Sequence, residues 1–280
     1  RIKHPKWGGQ TLYQLYSRAY TPWKWLRKLK GIADDEGILF FATSFDKTAV
    51  DFLESLNVPI HKIASFEMVD LPLVEYASRT KKPLIISTGM GSPAEIKEAV
   101  GAARAAGSKE IILLKCVSNY PARPEDMNLR MIPHMKKKFH CAVGLSDHTL
   151  GIGVSIAAVS TGASIIEKHF TLSRKIKSPD SFFSIEPHEL KQLVMNVRIA
   201  EKALGKISYN LTKGEMKNKI FRRSIFIVKD IEKGEIFTKE NTRSIRPGYG
   251  LPVKYLIDIW GKRARRNIKR GVPLRQDLIK

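Results

Sequence analysis

Two histidines carry the strongest chemical suggestion in this chain. His148 follows an apolar run at residues 141–147, and His169 lies inside another at 164–171. If those runs are neighbouring parallel strands, both imidazoles reach one cavity mouth. Two neutral imidazoles with open positions can hold a divalent cation that still binds water and substrate. The alternative, a hydrogen-bonded structural role for each, is weakened by their placement at consecutive strand ends. A second set comprises Thr43, Ser65, Ser87, Ser118 and Ser146, each toward the end of an apolar run, with Lys62 inside the run at 60–66. A lysine in a buried strand needs a counter-charge, and hydroxyls around one ammonium suit a phosphate or carboxylate. The two sets together point to a metal and a small phosphorylated or carboxylated substrate. Asp147 is read as a group that orients the neighbouring imidazole, and Cys116, flanked by apolar residues, as core. Ser146, Asp147 and His148 do not read as a hydrolase triad, because neighbours on one strand point to opposite faces.

These residues need a scaffold that gathers strand ends. Apolar runs at 38–45, 60–66, 83–90, 111–118, 141–147 and 164–171 begin 22 to 30 residues apart. That spacing fits strands joined by crossover helices, hence parallel βα units. Ser92-Pro-Ala-Glu opens one helix with a cap, a first-turn proline and a capping-box glutamate, and residues 186–205 form the last of the series. Nearly continuous apolar strands imply burial on both faces. Six strands feeding one site suit the C-terminal face of a (β/α)8 barrel, and no glycine-rich dinucleotide fingerprint supports an open doubly wound sheet. Residues 10–20 and 22–37 read as helices or an aromatic-rich insertion, and the chain starts at Arg1 rather than Met. The expected fold is therefore α/β: a TIM-type barrel lacking its first two strands (residues 1–205). A polar linker (206–221) and a small β-rich domain (222–280) follow. Within that domain residues 230–236 faintly echo 267–274. The aromatic block Trp7, Tyr13, Tyr16, Tyr20, Trp23 and Trp25 is expected to pack the first helices onto the barrel, with a sugar-stacking surface as the alternative.

Composition limits the partners. The 280 residues carry a formal charge of +22, with 19 basic against 7 acidic residues between positions 211 and 280. No zinc-finger spacing, aromatic RNA-binding signature or helix-turn-helix pattern accompanies that charge, so no nucleic-acid partner is expected. No apolar run approaches the length of a membrane span, and no secretory signal is visible. Two cysteines exclude a disulfide scaffold and suit a cytoplasmic location.

The chain resembles the sialic acid synthase family. The resemblance rests on Phe-Ala-Thr-Ser-Phe at 41–45, His-Lys-Ile-Ala-Ser-Phe-Glu at 61–67, Ile-Ser-Thr-Gly-Met at 86–90 and Lys-Cys-Val-Ser-Asn-Tyr-Pro at 115–121. It extends through Gly-Leu-Ser-Asp-His-Thr-Leu-Gly at 144–151, Glu-Lys-His-Phe-Thr at 167–171 and Pro-Asp-Ser-Phe-Phe-Ser at 179–184. Arg-Pro-Gly-Tyr-Gly at 246–250 resembles the antifreeze-like (SAF, β-clip) domain that closes these enzymes. Residues 12–16 and 20–25 look more like the pseudaminic acid branch than the N-acetylneuraminate branch. The resemblance implies a carbohydrate-biosynthetic transferase that condenses phosphoenolpyruvate with an N-acetylated amino sugar, of the kind that serves flagellin glycosylation. It implies a divalent metal (Mn, Mg or Co) on His148 and His169. Phosphoenolpyruvate would lie among Thr43, Lys62, Ser65, Ser87, Ser118 and Ser146, and the sugar against Glu67, Tyr120, Asp180 and Arg246. His148, His169 and Glu67 would be the catalytic residues, in a domain-swapped homodimer. Ala-Ser-Phe-Glu at 64–67 departs from the Gly-Ser-Gly-Glu of the neuraminate branch. The acidic residue and the lysine that the family places on its first two strands have no counterpart before Ile38. An N-acetylneuraminate or legionaminate synthase, and an inactive remnant serving as a binding or dimerising module, are the alternatives.

Overall fold

The computed structural model describes residues 8–280. Trp7 and Arg1 lie outside the described residues. The chain divides after Gly205 into two compact units.

The first unit is an α/β half-barrel. Helices α1 (Leu12–Ala19), α2 (Trp23–Asp35) and α3 (Lys47–Ser55) precede an alternating series. That series runs β1 (His61–Ile63), α4 (Leu71–Ser78), β2 (Leu84–Ser87), α5 (Pro93–Ala105), β3 (Ile111–Cys116), α6 (Met131–Phe139), β4 (Ala142–Asp147), α7 (Gly153–Ser160), β5 (Ile166–Lys168) and α8 (Pro187–Leu204). The five strands lie in sequence order and are parallel throughout, as short crossovers require. Register sorts the side chains. Ile63, Ile86, Leu113 and Val143 are cross-strand partners, and all are fully buried in one cluster with α4, α5 and α6. The alternate residues face the concave side, where the strand ends turn polar. Helix α5 begins as its sequence predicts: Ser92 accepts from the Glu95 amide while Glu95 takes the Ser92 amide.

Two expectations change, and one segment gains detail. Residues 38–45 form no strand, and their ladder contact among the described residues is one parallel bridge, Thr43 to Lys62. Phe40, Phe41 and Ala42 instead pack on Leu53, Leu56 and Val58 around α3, so the apolar run serves a helix rather than a ladder. The aromatic block does not pack α1 onto the barrel. No residue of α1 is buried, and Tyr13 is 81% exposed. The anchor is on α2, where Trp23 stacks on Phe52 at 4.4 Å. The polar segment 206–221 is partly helical, because Thr212 and Glu215 form a capping box that starts α9 (Lys213–Asn218).

In the second unit β6 (Ser224–Ile227) pairs antiparallel with β7 (Thr242–Ile245), and α10 spans Leu256–Ile259. The two echoing segments pair with each other: Ile231 and Ile268 exchange backbone hydrogen bonds of 2.9 and 2.8 Å. Both side chains enter a core with Ile225, Ile227, Phe237 and Leu274. Among the described residues, no helix is long and apolar enough to cross a membrane.

Candidate functional site

The concave ends of the strands surround a cavity of about 400 Å³. Lys62 and Lys168 are buried cations among its lining residues, and Lys62 faces the hydroxyls. Its ammonium donates to Ser87 Oγ at 3.0 Å and lies 3.3 Å from Glu167 Oε2. The neighbouring carboxylate supplies the counter-charge that burial demands. Two residues past Leu114, which partners Ser87, the residues Cys116, Ser146 and Glu167 are successive cross-strand partners, and Ser146 Oγ donates to Glu167 Oε1 at 2.8 Å. Ser65 Oγ accepts from the Gly89 amide at 3.0 Å. A Cβ on Gly89 would come within 2.3 Å of Ser118 Oγ and 2.8 Å of Ser65 Oγ. Glycine here keeps a backbone N–H and two hydroxyls together, an arrangement suited to anion oxygens.

The two histidines project from adjacent strands with ring centroids 5.3 Å apart. His148 Nδ1 lies 2.8 Å from the Val117 carbonyl. Only a protonated Nδ1 satisfies that acceptor, so Nε2 carries the lone pair of the neutral ring. Burial lowers the His169 pKa, opposed by Asp180, whose Oδ2 is 3.6 Å from Nδ1. Burial works the same way on His148. There it is outweighed by contacts with Cys116 and Val117 and by the charges of Cys116 and Glu167, which raise its pKa. Two imidazoles, one with its tautomer set by the backbone, fit a divalent cation. Tyr120 lies against His148, centroids 4.4 Å apart. Burial, with Cys116 and Asp180 alongside, pushes its phenol up to about 12, so it is a neutral donor.

Thr43, Lys62, Ser65, Ser87, Tyr120, Ser146, His148 and His169 all line the cavity. Ser118 Oγ lies 3.9 Å from Sγ of the lining residue Cys116, and Asp180 flanks His169. Glu67 is held beside Ser65 without lining the cavity. Its Oε2 is buried with no hydrogen-bond partner, and burial raises its pKa. Arg246 belongs to the second unit.

Asp147 does not orient His148. It points to the convex side, where Lys168 lies 3.0 Å from Oδ2 and Ser155 of α7 donates at 2.6 Å. Thr149 donates to it through both its amide and its hydroxyl. Cys116 is buried as core residues are, yet it also lines the cavity, 4.0 Å from His148 Nδ1. Glu167 was missed as a cavity residue, although its position two before His169 puts both on one face. A separate three-donor group, Glu186, His188 and Glu189, has ligand atoms within 4.8 Å of one another at the start of α8. There Glu189 takes the Glu186 amide and pairs with Arg174, so these carboxylates cap the helix.

A family model described as the NeuB family matches residues 1–209, and one for the SAF domain matches 222–280. The chain belongs to the NeuB family. It is 42% identical over 275 residues to the pseudaminic acid synthase of Campylobacter jejuni, covering 98% of this chain and 80% of that protein. It is 40% identical over 279 residues to that of Helicobacter pylori, covering 99% and 82%. Among solved structures it resembles the N-acetylneuraminic acid synthetase of Leptospira borgpetersenii, crystallised with citrate. That likeness has a TM-score of 0.69 and 36% identity, over 73% of this chain and 72% of that one. This NeuB-family chain is an enzyme of the transferase class, with a half-barrel followed by a SAF domain.

Proposed function

We propose that this NeuB-family enzyme condenses phosphoenolpyruvate with 2,4-diacetamido-2,4,6-trideoxy-L-altrose, giving pseudaminic acid and phosphate. The observation that carries the reading is one cavity holding both an anion cradle (Lys62, Ser65, Ser87 and Ser146) and two adjacent imidazoles. The identity to pseudaminic acid synthases over nearly the whole chain supports the choice of sugar.

Lys62 and the hydroxyls of Thr43, Ser65, Ser87, Ser118 and Ser146 would bind the phosphate and carboxylate of phosphoenolpyruvate. His148 and His169 would hold a divalent ion (Mn, Mg or Co), which when bound supplies Lewis-acid polarisation of the aldehyde oxygen. The enol carbon then forms the new C–C bond, water adds to the oxocarbenium carbon, and phosphate leaves with C–O cleavage. Glu67, Tyr120 and Asp180 would position the sugar. The raised pKa of Glu67 brings proton exchange closer to neutral pH. A homodimer of the domain-swapped kind, with Arg246 contacting the sugar in the partner subunit, completes the proposal. Two free buried cysteines suit a reducing cytoplasm.

The test incubates purified enzyme with phosphoenolpyruvate, a divalent metal and either the trideoxy sugar or N-acetylmannosamine, reading products by mass spectrometry. Pseudaminic acid formed only from the trideoxy sugar is the expected result. Equal turnover of N-acetylmannosamine would overturn the choice of sugar.

A further inference from the structure

The cavity is polar within and aromatic at its mouth. Phe45 and Phe66 both line it, yet they are 64% and 61% exposed. An aromatic ring left this exposed keeps apolar surface in water that a ligand with apolar groups can cover.

Both rings are carried by anchored backbone. The Ser44 side chain next to Phe45 is fully buried, and Asp46 caps α3 by accepting from the Ala49 amide at 2.8 Å. Phe66 sits in a turn closed by the Glu67 amide on the Ala64 carbonyl at 3.2 Å. It lies between Ser65, bonded to Gly89, and Glu67, whose Oε2 is buried. Placing these rings against a ligand therefore requires little ordering of the chain.

We propose that Phe66, with Phe45 as a second wall, forms an apolar subsite that selects a deoxygenated, N-acylated sugar. This rests on the reading of a sugar as second substrate, and it adds the basis of choice among sugars. The rings pack on the methyl group of the 6-deoxy carbon and on acetamido methyls. A 6-hydroxyl pressed against the same rings would lose its water partners with no acceptor or donor to replace them.

The test compares kcat/KM for 2,4-diacetamido-2,4,6-trideoxy-L-altrose and its 6-hydroxy counterpart at saturating phosphoenolpyruvate. The enzymes are the wild type, Phe66→Gly, Phe66→Leu and Phe45→Ala. One group in an apolar pocket discriminates about 10- to 200-fold, so the wild type should prefer the 6-deoxy sugar by at least about tenfold. Phe66→Gly should cut that ratio to about threefold or less, with Phe66→Leu keeping most of it and Phe45→Ala falling between. A wild-type ratio near one, or an unchanged ratio in Phe66→Gly, overturns the subsite. Turnover of neither sugar overturns the condensation reading instead. Saturation-transfer NMR of the trideoxy sugar then decides the subsite: binding weakened in Phe66→Gly supports it, and equal binding refutes it.

Discussion

The two faces of the parallel sheet carry the same kinds of side chain and use them in opposite ways. On the convex face Asp147 is satisfied four times over, by Lys168, Ser155 and both donors of Thr149. His61, also fully buried, is tied through Nε2 to Glu54 at 2.9 Å, and Glu54 is shared with Lys82. On the concave face Lys62, Glu167, His148 and His169 keep atoms directed at open space. Residue type therefore does not separate scaffold from site. What separates them is whether the neighbouring layer of helices closes over the polar group.

Breaking the convex face should be felt in stability. Lys168→Met leaves the Asp147 carboxylate buried without a counter-charge, though still hydrogen-bonded to Ser155 and Thr149, and should cost about 3 kcal/mol in urea unfolding. The double variant Asp147→Asn with Lys168→Met should recover most of that loss. Breaking the concave face should be felt in turnover. Lys62→Met removes the buried cation proposed to face phosphoenolpyruvate, and on that reading kcat/KM for phosphoenolpyruvate should fall about 10²- to 10³-fold.

Two smaller effects sharpen the contrast. Burial raises the Glu67 pKa, so its ionised form is the disfavoured one, and stability declines as pH rises through the folded pKa. Glu67→Gln should therefore stabilise the fold at neutral pH by about 1 kcal/mol, while weakening the sugar KM; thermal melts and kinetics read the two together. Burial lowers the pKa of His61 against the pull of Glu54. The unfolded chain then binds the proton more readily, so stability is full above the ordinary histidine pKa and declines as pH falls below it. Melts between pH 7.5 and 5.5 should show a loss of about 1 kcal/mol or less that His61→Leu abolishes.

Much of this arrangement was legible in the sequence, for identifiable reasons. Parallel βα units announce themselves by spacing, and the Ser92–Glu95 cap announces α5 by residue type. The cavity hydroxyls were legible because strand ends in such folds share one face. Residues 38–45 misled because an apolar run states only that it is buried, not whether a strand or α3 buries it. Asp147 misled through adjacency: sequence neighbours on a strand face opposite ways, so its partner is the cross-strand Lys168 rather than His148. Cys116 misled because the concave face is core lower down and cavity floor at its end. The helix at 213–218 carried its Thr-x-x-Glu cap in plain view, within a segment whose polarity reads as linker.

The central claim is that the concave histidines are ligands and the convex one is structural. Calorimetric titration of MnCl2 into the wild type, His148→Ala, His169→Ala and His61→Ala tests it directly. The account predicts one Mn²⁺ site in the wild type and in His61→Ala, with affinity reduced at least about tenfold in either concave variant. Undiminished binding in His148→Ala, or binding lost in a folded His61→Ala, would contradict it.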